Sequence, residues 1–507
     1  MLRDWDIHDK HILVLSSSGK PIFSKHGDEQ ELVTSFGLVQ AVFSIVKESG
    51  DTLKCISAGR RKILYFVRGT LYFVGISSTG EPDAVLCKQL EFTYCQILLI
   101  LTSKVHHVLK NNSSRDLRSL LGADSMKLMK TTNRSDIVAK TIAFDSLEAL
   151  PMHSILRYKI LSHLKYCMEI SNAASCLLMC GQKLITHLAD PSLGLLFGAS
   201  DFILLSTLVS SSSSLKSHEQ NWVPICLPSF NENAYLQAYV AHFPILDERI
   251  IAASFSLVLV SSTSDPESFR ILHSARTSFE EEIQRSSVSA EIIHSIVEEN
   301  SLLGKYLCSF LAVHYFFKLG ATQIRNLSNP NAVPAQYISS VWGSTIADEE
   351  KSGVYTEYYR NAVRLRRGTC VPEYFSTKSD TENQCTKGVS RRMESYAVRW
   401  RHYDTSITRN IPVGNVNKSI LSCDEEIICS DDGNQHSVLQ LLPLSNHSLV
   451  YTCTSNYTVI GLASSDSELH VCFSSILEPL NACNLANNLF YSLKADSDDL
   501  FQTANHG

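Results

Sequence analysis

The sequence predicts an α+β protein built from a repeated module in which helices pack on an antiparallel sheet. The first 125 residues place strand-like runs and helical stripes in the order strand, strand, helix, three strands, helix. The same order returns between residues 174 and 286. Hydrophobic residues make up 44% of the 507 residues, enough to fill about three domain cores and too many for a disordered chain.

Five strands are predicted in the first module, residues 5–125. The runs HILVL and PIFS flank the turn sequence SSSGKP, which indicates a hairpin with Gly19 in its turn. Three more runs alternate β-branched, aromatic and aliphatic residues, and the last two are joined by the two-residue turn Gly69-Thr70. These three runs occupy residues 53–57, 62–68 and 71–77.

Two helices are predicted in the same module. The first has apolar residues three and four apart, is preceded by Asp28 and Glu29, and is stopped by Gly50. Its predicted buried stripe is Leu32, Phe36, Val39, Phe43 and Val46. The second stripe follows Pro82 and runs at helical spacing from Leu86 to Val108. The first module is therefore predicted to be a five-stranded antiparallel sheet packed by helices.

The second module, residues 174–286, follows a linker and helix at 126–173. A polar linker is expected near 126–136 and a helix near 153–170. The module opens with a hairpin whose tip is Gly181-Gln182, continues with a helix at 191–209, and then has three strands. It ends in a helix that Asp265 caps just before Pro266.

A third module of the same kind is predicted to be split. Its parts are residues 287–367 and 436–501, which contain three alternating strand-like runs and a final helical stripe. The stretch between them, 368–435, is polar, has little periodicity, and is expected to be a surface insertion.

Composition and motifs argue against several functional classes. A net charge of -6 with no basic tract argues against nucleic-acid binding. The 15 cysteines are scattered in apolar strings without paired metal-ligand spacing, so buried free thiols are expected, with no metal or other cofactor. Phosphate-binding loops, nucleophile elbows and zinc-protease motifs do not occur, so covalent enzyme chemistry is not expected.

The expected compartment is the cytoplasm. The opening residues MLRDWDIHDKH are charged, whereas a secretory signal begins basic and becomes apolar. The longest apolar stretch, Tyr306 to Phe317, is about 12 residues, and about 20 are needed to cross a bilayer.

Several segments resemble the SAND family of Mon-type vacuolar fusion proteins. In the first module these are WDIHDKHILVLSSSGKPIFSKHGDE, FGLVQAVFS, DTLKCISAG, LYFVRGTLYFVGIS and QLEFTYCQILLILT. In the second they are GQKLITHL, LLFGASDF and WVPICLPSFNENAYLQAYV, and near the end ELHVCFSSI and DDLF. The resemblance is specific over about 5–125 and 174–285 and patchy from 310 to 500.

The resemblance implies three longin domains and a role as one subunit of a heterodimeric guanine-nucleotide exchange factor. The implied partners are a Ccz-type longin subunit and the late-endosomal Rab GTPase, with peripheral recruitment to late-endosomal and vacuolar or lysosomal membranes. The implied processes are endosome maturation, vesicle trafficking and vacuole or lysosome fusion. The alternative is a longin-type trafficking adaptor or scaffold without exchange activity.

The resemblance also implies that the first domain forms a shared platform with the partner and receives the Rab there. Polar residues in turns and on the first helix are the candidate contacts within it: Ser17, Gly19, Lys20, Lys25, His26 and Gln40. The surface that joins the partner is expected to be an exposed strand edge and its neighbouring helix within 29–77.

Overall fold

The computed structural model describes most of the chain. The described residues are 8–27, 33–50, 53–113, 115–134, 136–190, 198–211, 220–243, 255–320, 335–342, 348–367, 437–441, 448–454, 456–474 and 477–503. Asp28, Glu29 and Leu32 of the first predicted helix, and the whole predicted insertion 368–435, lie outside these residues.

The described residues form two compact units. The first comprises the residues up to Ser301, those of Leu319–Ile338, and those from Asp496 onward. The second comprises Leu302–Lys318 and Ser339–Ala495. Three stretches that the sequence analysis assigned to the third module, 287–301, 319–338 and 496–501, are therefore grouped with the first two modules.

The first module forms the predicted five-stranded sheet. Its strand order is β2-β1-β5-β4-β3, and all neighbours are antiparallel. The predicted hairpins are confirmed, with Gly19 and Gly69 at positive φ in their turns. The elements are β1 Lys10–Ser16, β2 Pro21–Ser24, α1 Val33–Glu48, β3 Cys55–Ala58, β4 Arg61–Arg68, β5 Leu71–Ser77 and α2 Asp83–Leu101.

The two faces of this sheet bury different helices because side chains alternate along each strand. Leu13, Leu15 and Val74 pack against Phe36 and Phe43 of α1. The intervening strand residues, which include Ile12, Val14 and Phe73, pack on the other face with Leu86, Leu90 and Ile97 of α2. The sheet therefore forms the middle layer between α1 and α2.

Helix α2 is shared by the first two modules. While Leu86, Leu90 and Ile97 face the first sheet, Phe92, Cys95 and Leu99 lie in the hydrophobic core of the second module. By length and composition, α2 is the one helix among the described residues that is long and apolar enough to cross a membrane. Most of its residues are buried inside the protein, which accounts for its apolar character without a membrane.

The second helical stripe does not continue to Val108 in one helix, as the sequence analysis expected. Thr102 has φ 56°, outside the helical region, and ends α2, and a separate helix begins at Lys104. Residues 126–134, predicted to be polar linker, are helical instead, since the segment supplies helices that cover α2. The elements here are α3 Lys104–Asn111, α4 Leu117–Leu121, α5 Ala123–Arg134, α6 Asp136–Phe144 and β6 Leu147–Glu148.

The second module repeats the first sheet's topology. Its order is β8-β7-β11-β10-β9, and its paired strands are antiparallel. The predicted cap is confirmed, since the Asp265 side chain accepts a hydrogen bond from the Ser268 backbone N–H at 2.9 Å. The elements are α7 Ser154–Ser171, β7 Ser175–Cys180, β8 Lys183–Ala189, α8 Ala199–Ser211, β9 Gln220–Ile225, α9 Pro228–Asn231, β10 Leu236–Phe243, β11 Phe255–Ser261 and α10 Pro266–Arg285.

The edge strand β8 is covered by other parts of the chain. Leu150 donates its backbone N–H to Leu184 O at 2.9 Å, and the buried Arg157 guanidinium donates to Ile185 O. The Gln502 side chain contacts the backbone of His187 a little further along β8. This sheet edge is therefore closed by three separate contacts, which blocks edge-to-edge pairing there.

The second unit contains the strands predicted for the third module. They run in the order β14-β15-β16-β17-β12, and Ser340, directly after β13, donates its backbone N–H to Tyr315 O of β12 at 3.0 Å. The order β12-β17-β16-β15 matches β1-β5-β4-β3, and β14 adds an edge strand that the sequence analysis did not separate. A third longin domain stays a prediction.

The remaining elements are α11 Val288–Phe310, β12 His314–Leu319, β13 Gln336–Ser339, α12 Asp348–Arg367, β14 Ser437–Leu441, β15 Ser448–Cys453, β16 Tyr457–Ala463, β17 Ser467–Ser474, α13 Pro479–Ala495 and α14 Ser497–Leu500.

Candidate functional site

The outer face of α1 is apolar and exposed. Leu38 and Ile45 are 67% and 68% exposed, and they lie two helical turns apart with the exposed Ala41 between them. The opposite face of the helix is fixed in the core, where the Phe43 ring stacks on Tyr72 at 4.5 Å between ring centroids. A helix that is apolar on both sides is typical of one that packs against a second layer.

The second module shows how the equivalent helix is used within this chain. Helix α8 follows the first hairpin of its sheet, as α1 does, and most of its described side chains are buried while none is exposed. One side packs on the sheet, and α2, α5 and α6 cover the other. Among the described residues, the corresponding side of α1 is exposed instead.

Strand β3 forms the edge of the first sheet. In the sheet order it has β4 on one side and no further described strand on the other. Ile56 of β3 packs against the same core as α1, while Ser57 and Ala58 are exposed. An uncovered edge of this kind can accept another strand. Leu38, Ala41, Ile45, Ser57 and Ala58 together are named the α1–β3 surface.

Four of the six residues predicted as contacts, Ser17, Gly19, Lys20 and Gln40, lie together at the β1–β2 turn. The Gln40 side chain of α1 donates a hydrogen bond from Nε2 to Ser17 O at 3.2 Å. Gly19 has φ 82°, and a Cβ there would lie 3.0 Å from Gln40 Cγ, so the close approach needs glycine. Lys20 belongs to the same turn, where its carbonyl accepts from Ser16 N at 2.9 Å.

The other two predicted contacts, Lys25 and His26, lie at the far end of β2. The His26 ring stacks on His8 with 3.8 Å between centroids and meets His11 edge-on at 5.4 Å. Burial lowers the pKa of His11 to about 4. The six candidate residues thus form two groups separated by the four residues of β2, roughly 13 Å of strand. All six are partly buried, and their contact with a Rab stays a prediction.

The sequence analysis did not single out Leu38 and Ile45. The signal was present, because both are large apolar residues that fall between the positions of the predicted buried stripe. They lie seven residues apart, so a helical projection places them on one outward side. The surface expected to join the partner, an exposed strand edge and its neighbouring helix within 29–77, includes the α1–β3 surface, and its contact with a partner stays a prediction.

The chemistry of the described residues suits binding. Burial raises the pKa of the Cys95 and Cys226 thiols to about 12, so neither is an activated nucleophile. In the part of the chain that the structure describes, no group of three or more His, Cys, Asp and Glu side chains is arranged to hold a metal ion.

Comparison with known proteins identifies both modules. Residues 10–131 match the family described as the first longin domain of FUZ, MON1 and HPS1, and residues 171–280 match the second longin domain of the same proteins. The resemblance to the SAND family and the α+β longin fold of these two modules are thereby confirmed.

Individual relatives carry the same names. Similar proteins include a vacuolar fusion protein MON1 homolog of Oryza sativa subsp. japonica, 33% identical over 294 residues, which are 58% of this chain and 49% of the relative. The protein SAND of Takifugu rubripes is 29% identical over 282 residues, 55% of this chain and 52% of the relative. The vacuolar fusion protein MON1 of Yarrowia lipolytica is 32% identical over 270 residues, which are 53% of this chain and 47% of the relative. The matched part of the chain spans about half the length of these relatives.

Proposed function

Because the chain carries the first and second longin domains of FUZ, MON1 and HPS1, we propose that it acts in membrane trafficking as a vacuolar fusion factor. Within that role, the finer proposal is a subunit of a guanine-nucleotide exchange factor. The partner would be a Ccz-type longin subunit and the substrate the late-endosomal Rab GTPase. The protein would be cytoplasmic and would be recruited to the surface of late-endosomal and vacuolar or lysosomal membranes.

Such an exchange factor works by differential binding. A factor that binds the nucleotide-free Rab more tightly than the nucleotide-bound form shifts the Rab toward nucleotide release by that difference in affinity. A rigid, complementary surface is sufficient for this, and no nucleophile or metal is required. The buried, high-pKa thiols and the exposed apolar helix face of this chain are compatible with that mechanism.

The observation that carries the proposal is the α1–β3 surface. It comprises an apolar helix face and a strand edge that share one core through Ile56, and the equivalent helix α8 is covered by other helices of the same chain. A partner longin domain that places its own helix and edge strand there would bury Leu38 and Ile45 and extend the sheet.

The test is to place a charge on this surface. We expect Leu38→Asp and Ile45→Asp to keep the wild-type melting temperature, because both side chains are more than 60% exposed in the isolated chain. A buried unpaired charge costs several kcal/mol, so partner binding should fall at least tenfold. Rab nucleotide release by the mixture of the two subunits should fall with it.

Ile155→Asp is the matched control, since Ile155 is 62% exposed on α7, outside the first longin domain. It should retain both partner binding and nucleotide release. Folded Leu38 and Ile45 variants that bind the partner normally would refute the role of this surface. Variants that lose the partner yet release nucleotide at the full rate would refute the shared platform.

The alternative function is a trafficking adaptor without exchange activity. It uses the same surface to assemble with a longin partner, so partner binding would again be lost in the Leu38 and Ile45 variants. Wild-type complexes would then leave nucleotide release unchanged for every Rab in a purified panel, which separates the two functions.

A further inference from the structure

The residues from Asp499 to Gln502 comprise the end of the short helix α14 and the two residues that follow it. They pack against β8 and the start of α7, and Gln502 makes the most specific contacts. Its side-chain Oε1 accepts from His187 N at 2.7 Å, and its Nε2 donates to His187 O at 2.7 Å. A single amide side chain therefore satisfies both backbone groups of one residue on the edge strand β8, as the backbone of an added strand would do.

The backbone of Gln502 is bound in the same manner. Gln336 Nε2 donates to Gln502 O at 2.9 Å, and Gln502 N donates to Gln336 Oε1 at 3.0 Å. Both glutamines are at most 5% exposed, so these four hydrogen bonds lie away from water. Breaking one partner of a buried pair would leave the other unsatisfied.

The residues before Gln502 supply an acidic and an apolar contact. Asp499 accepts from Ser154 N at 2.7 Å through its carboxylate, at the first residue of α7, and from Met152 N at 2.9 Å through its carbonyl. A carboxylate is favoured at a helix N-terminus. Leu500 and Phe501, which follow, are 1% and 0% exposed.

We propose that the first compact unit contains a peptide-binding groove, formed by β8 of the second longin domain, Gln336 and the start of α7, which residues 499–502 of the same chain occupy. The ligand class is a peptide of the form Asp-Leu-Phe-Gln that ends a helical turn and then becomes extended. It has an acidic residue at the start of α7, two buried apolar residues and a glutamine that hydrogen-bonds the backbone of the strand edge. This inference is independent of the proposed exchange activity.

A peptide from another protein must compete with the chain's own segment. Covalent attachment gives the internal peptide an effective concentration of about millimolar, so the groove is closed to weak external ligands in the wild-type chain. Opening it requires that the internal segment be displaced.

The test uses the full chain and a fluorescent synthetic peptide of residues 496–503, DSDDLFQT. Phe501→Asp puts a charge where the side chain has no exposure, and we expect it to release the internal segment. The variant should bind the peptide at least tenfold more tightly than the wild-type chain does. A peptide with alanine in place of the glutamine should bind the variant at least tenfold more weakly than DSDDLFQT.

A second variant keeps the proposal testable if Phe501→Asp does not fold. Gln502→Ala should raise the hydrogen-exchange rate of the His187 amide at least tenfold. Asp498→Ala, at an exposed position in the same segment, is the control and should leave that rate unchanged. A folded Phe501 variant that binds the peptide no better than wild type, or an unchanged His187 rate in Gln502→Ala, would overturn the proposal.

Discussion

Two buried titratable residues of the second longin domain respond to pH in opposite directions. His187 is 5% exposed, and burial lowers the pKa of its imidazole to about 3. Asp201 is fully buried and accepts backbone hydrogen bonds from Ser229 and Phe230 at 3.0 Å, yet burial raises its pKa to about 6. Desolvation outweighs the hydrogen bonds at Asp201, since it is the larger influence on that carboxyl.

The sign of each effect follows from which state binds the proton. Below pH 6.5 the unfolded chain protonates His187 and the folded chain does not, so the free energy of unfolding falls as the pH drops toward 3. Asp201 is protonated in the folded protein below about pH 6, whereas in the unfolded chain it is protonated only below its ordinary pKa of 3.8. The free energy of unfolding therefore rises as the pH falls from about 6 to 3.8.

We predict that His187→Gln removes the loss of stability that His187 causes as the pH falls. Glutamine does not titrate. It can keep a hydrogen bond to Ser175, whose Oγ lies 3.1 Å from His187 Nε2 in the wild-type chain. Between pH 7 and pH 5 the wild-type free energy of unfolding should fall by about 2 kcal/mol more than that of the variant. Urea unfolding of both proteins at the two pH values measures this, and the Asp201 contribution cancels in the comparison. Parallel pH profiles would contradict the assignment.

At the scale of elements, the contact between β5 and α2 depends on one residue without a side chain. A Cβ at Gly75 would lie 2.9 Å from Leu86 Cδ1, and Leu86 is itself fully buried. The neighbouring core leaves Leu86 little room to move, so the distance between strand and helix is set by glycine.

We predict that Gly75→Ala lowers the free energy of unfolding by about 1–3 kcal/mol, because the added methyl group overpacks this contact. Gly37→Ala is the control on α1, where a Cβ would meet no atom within 4 Å. It should be neutral or should stabilise by up to about 1 kcal/mol, since alanine favours the helix. Thermal unfolding of the two variants tests the pair, and equal melting temperatures would contradict the close approach.

The sequence predicted elements best where local chemistry determines them. The hairpin turns at Gly19, Gly69 and Gly181 and the cap at Asp265 depend on residues a few positions apart, and the structure confirms all four. The break at Thr102 was missed because its neighbours on both sides continue the apolar spacing.

The sequence located the segment that contains the candidate site, but it did not identify the exposed residues of that site. The alternation of apolar residues located α1 and β3, so a strand edge beside a helix could be expected between residues 29 and 77. Which side of α1 stays exposed depends on the layers that pack around it, and that information comes from residues far apart in sequence. Leu38 and Ile45 therefore could not be separated from core positions by spacing alone.

At the scale of the first compact unit, α2 makes the two longin domains interdependent. Its Leu90 lies in the core of the first domain and its Phe92 in that of the second. The Cys226 backbone N–H also donates to Leu99 O at 3.0 Å, which joins the second domain to the end of α2. Loss of the helix would open both cores.

We predict that Phe92→Ala destabilises both domains together. Phe92 is 3% exposed, and its truncation should cost about 3–5 kcal/mol. Hydrogen exchange should then accelerate in β7 and β11 of the second domain and also in β1 and β5 of the first. Tyr491→Ala, at a 49% exposed position of α13, is the control and should change neither. Faster exchange confined to the second domain would contradict a shared core.

The order of synthesis gives the shared helix a consequence for the nascent chain. All five strands of the first sheet and α2 have been translated by Leu101, but β11, the central strand of the second sheet, ends at Ser261. At 5–20 residues per second, the ribosome needs on the order of ten seconds for the intervening stretch. During that interval Phe92, Cys95 and Leu99 have no completed second sheet to pack against, so the apolar face of α2 that they form stays exposed to solvent and to chaperones.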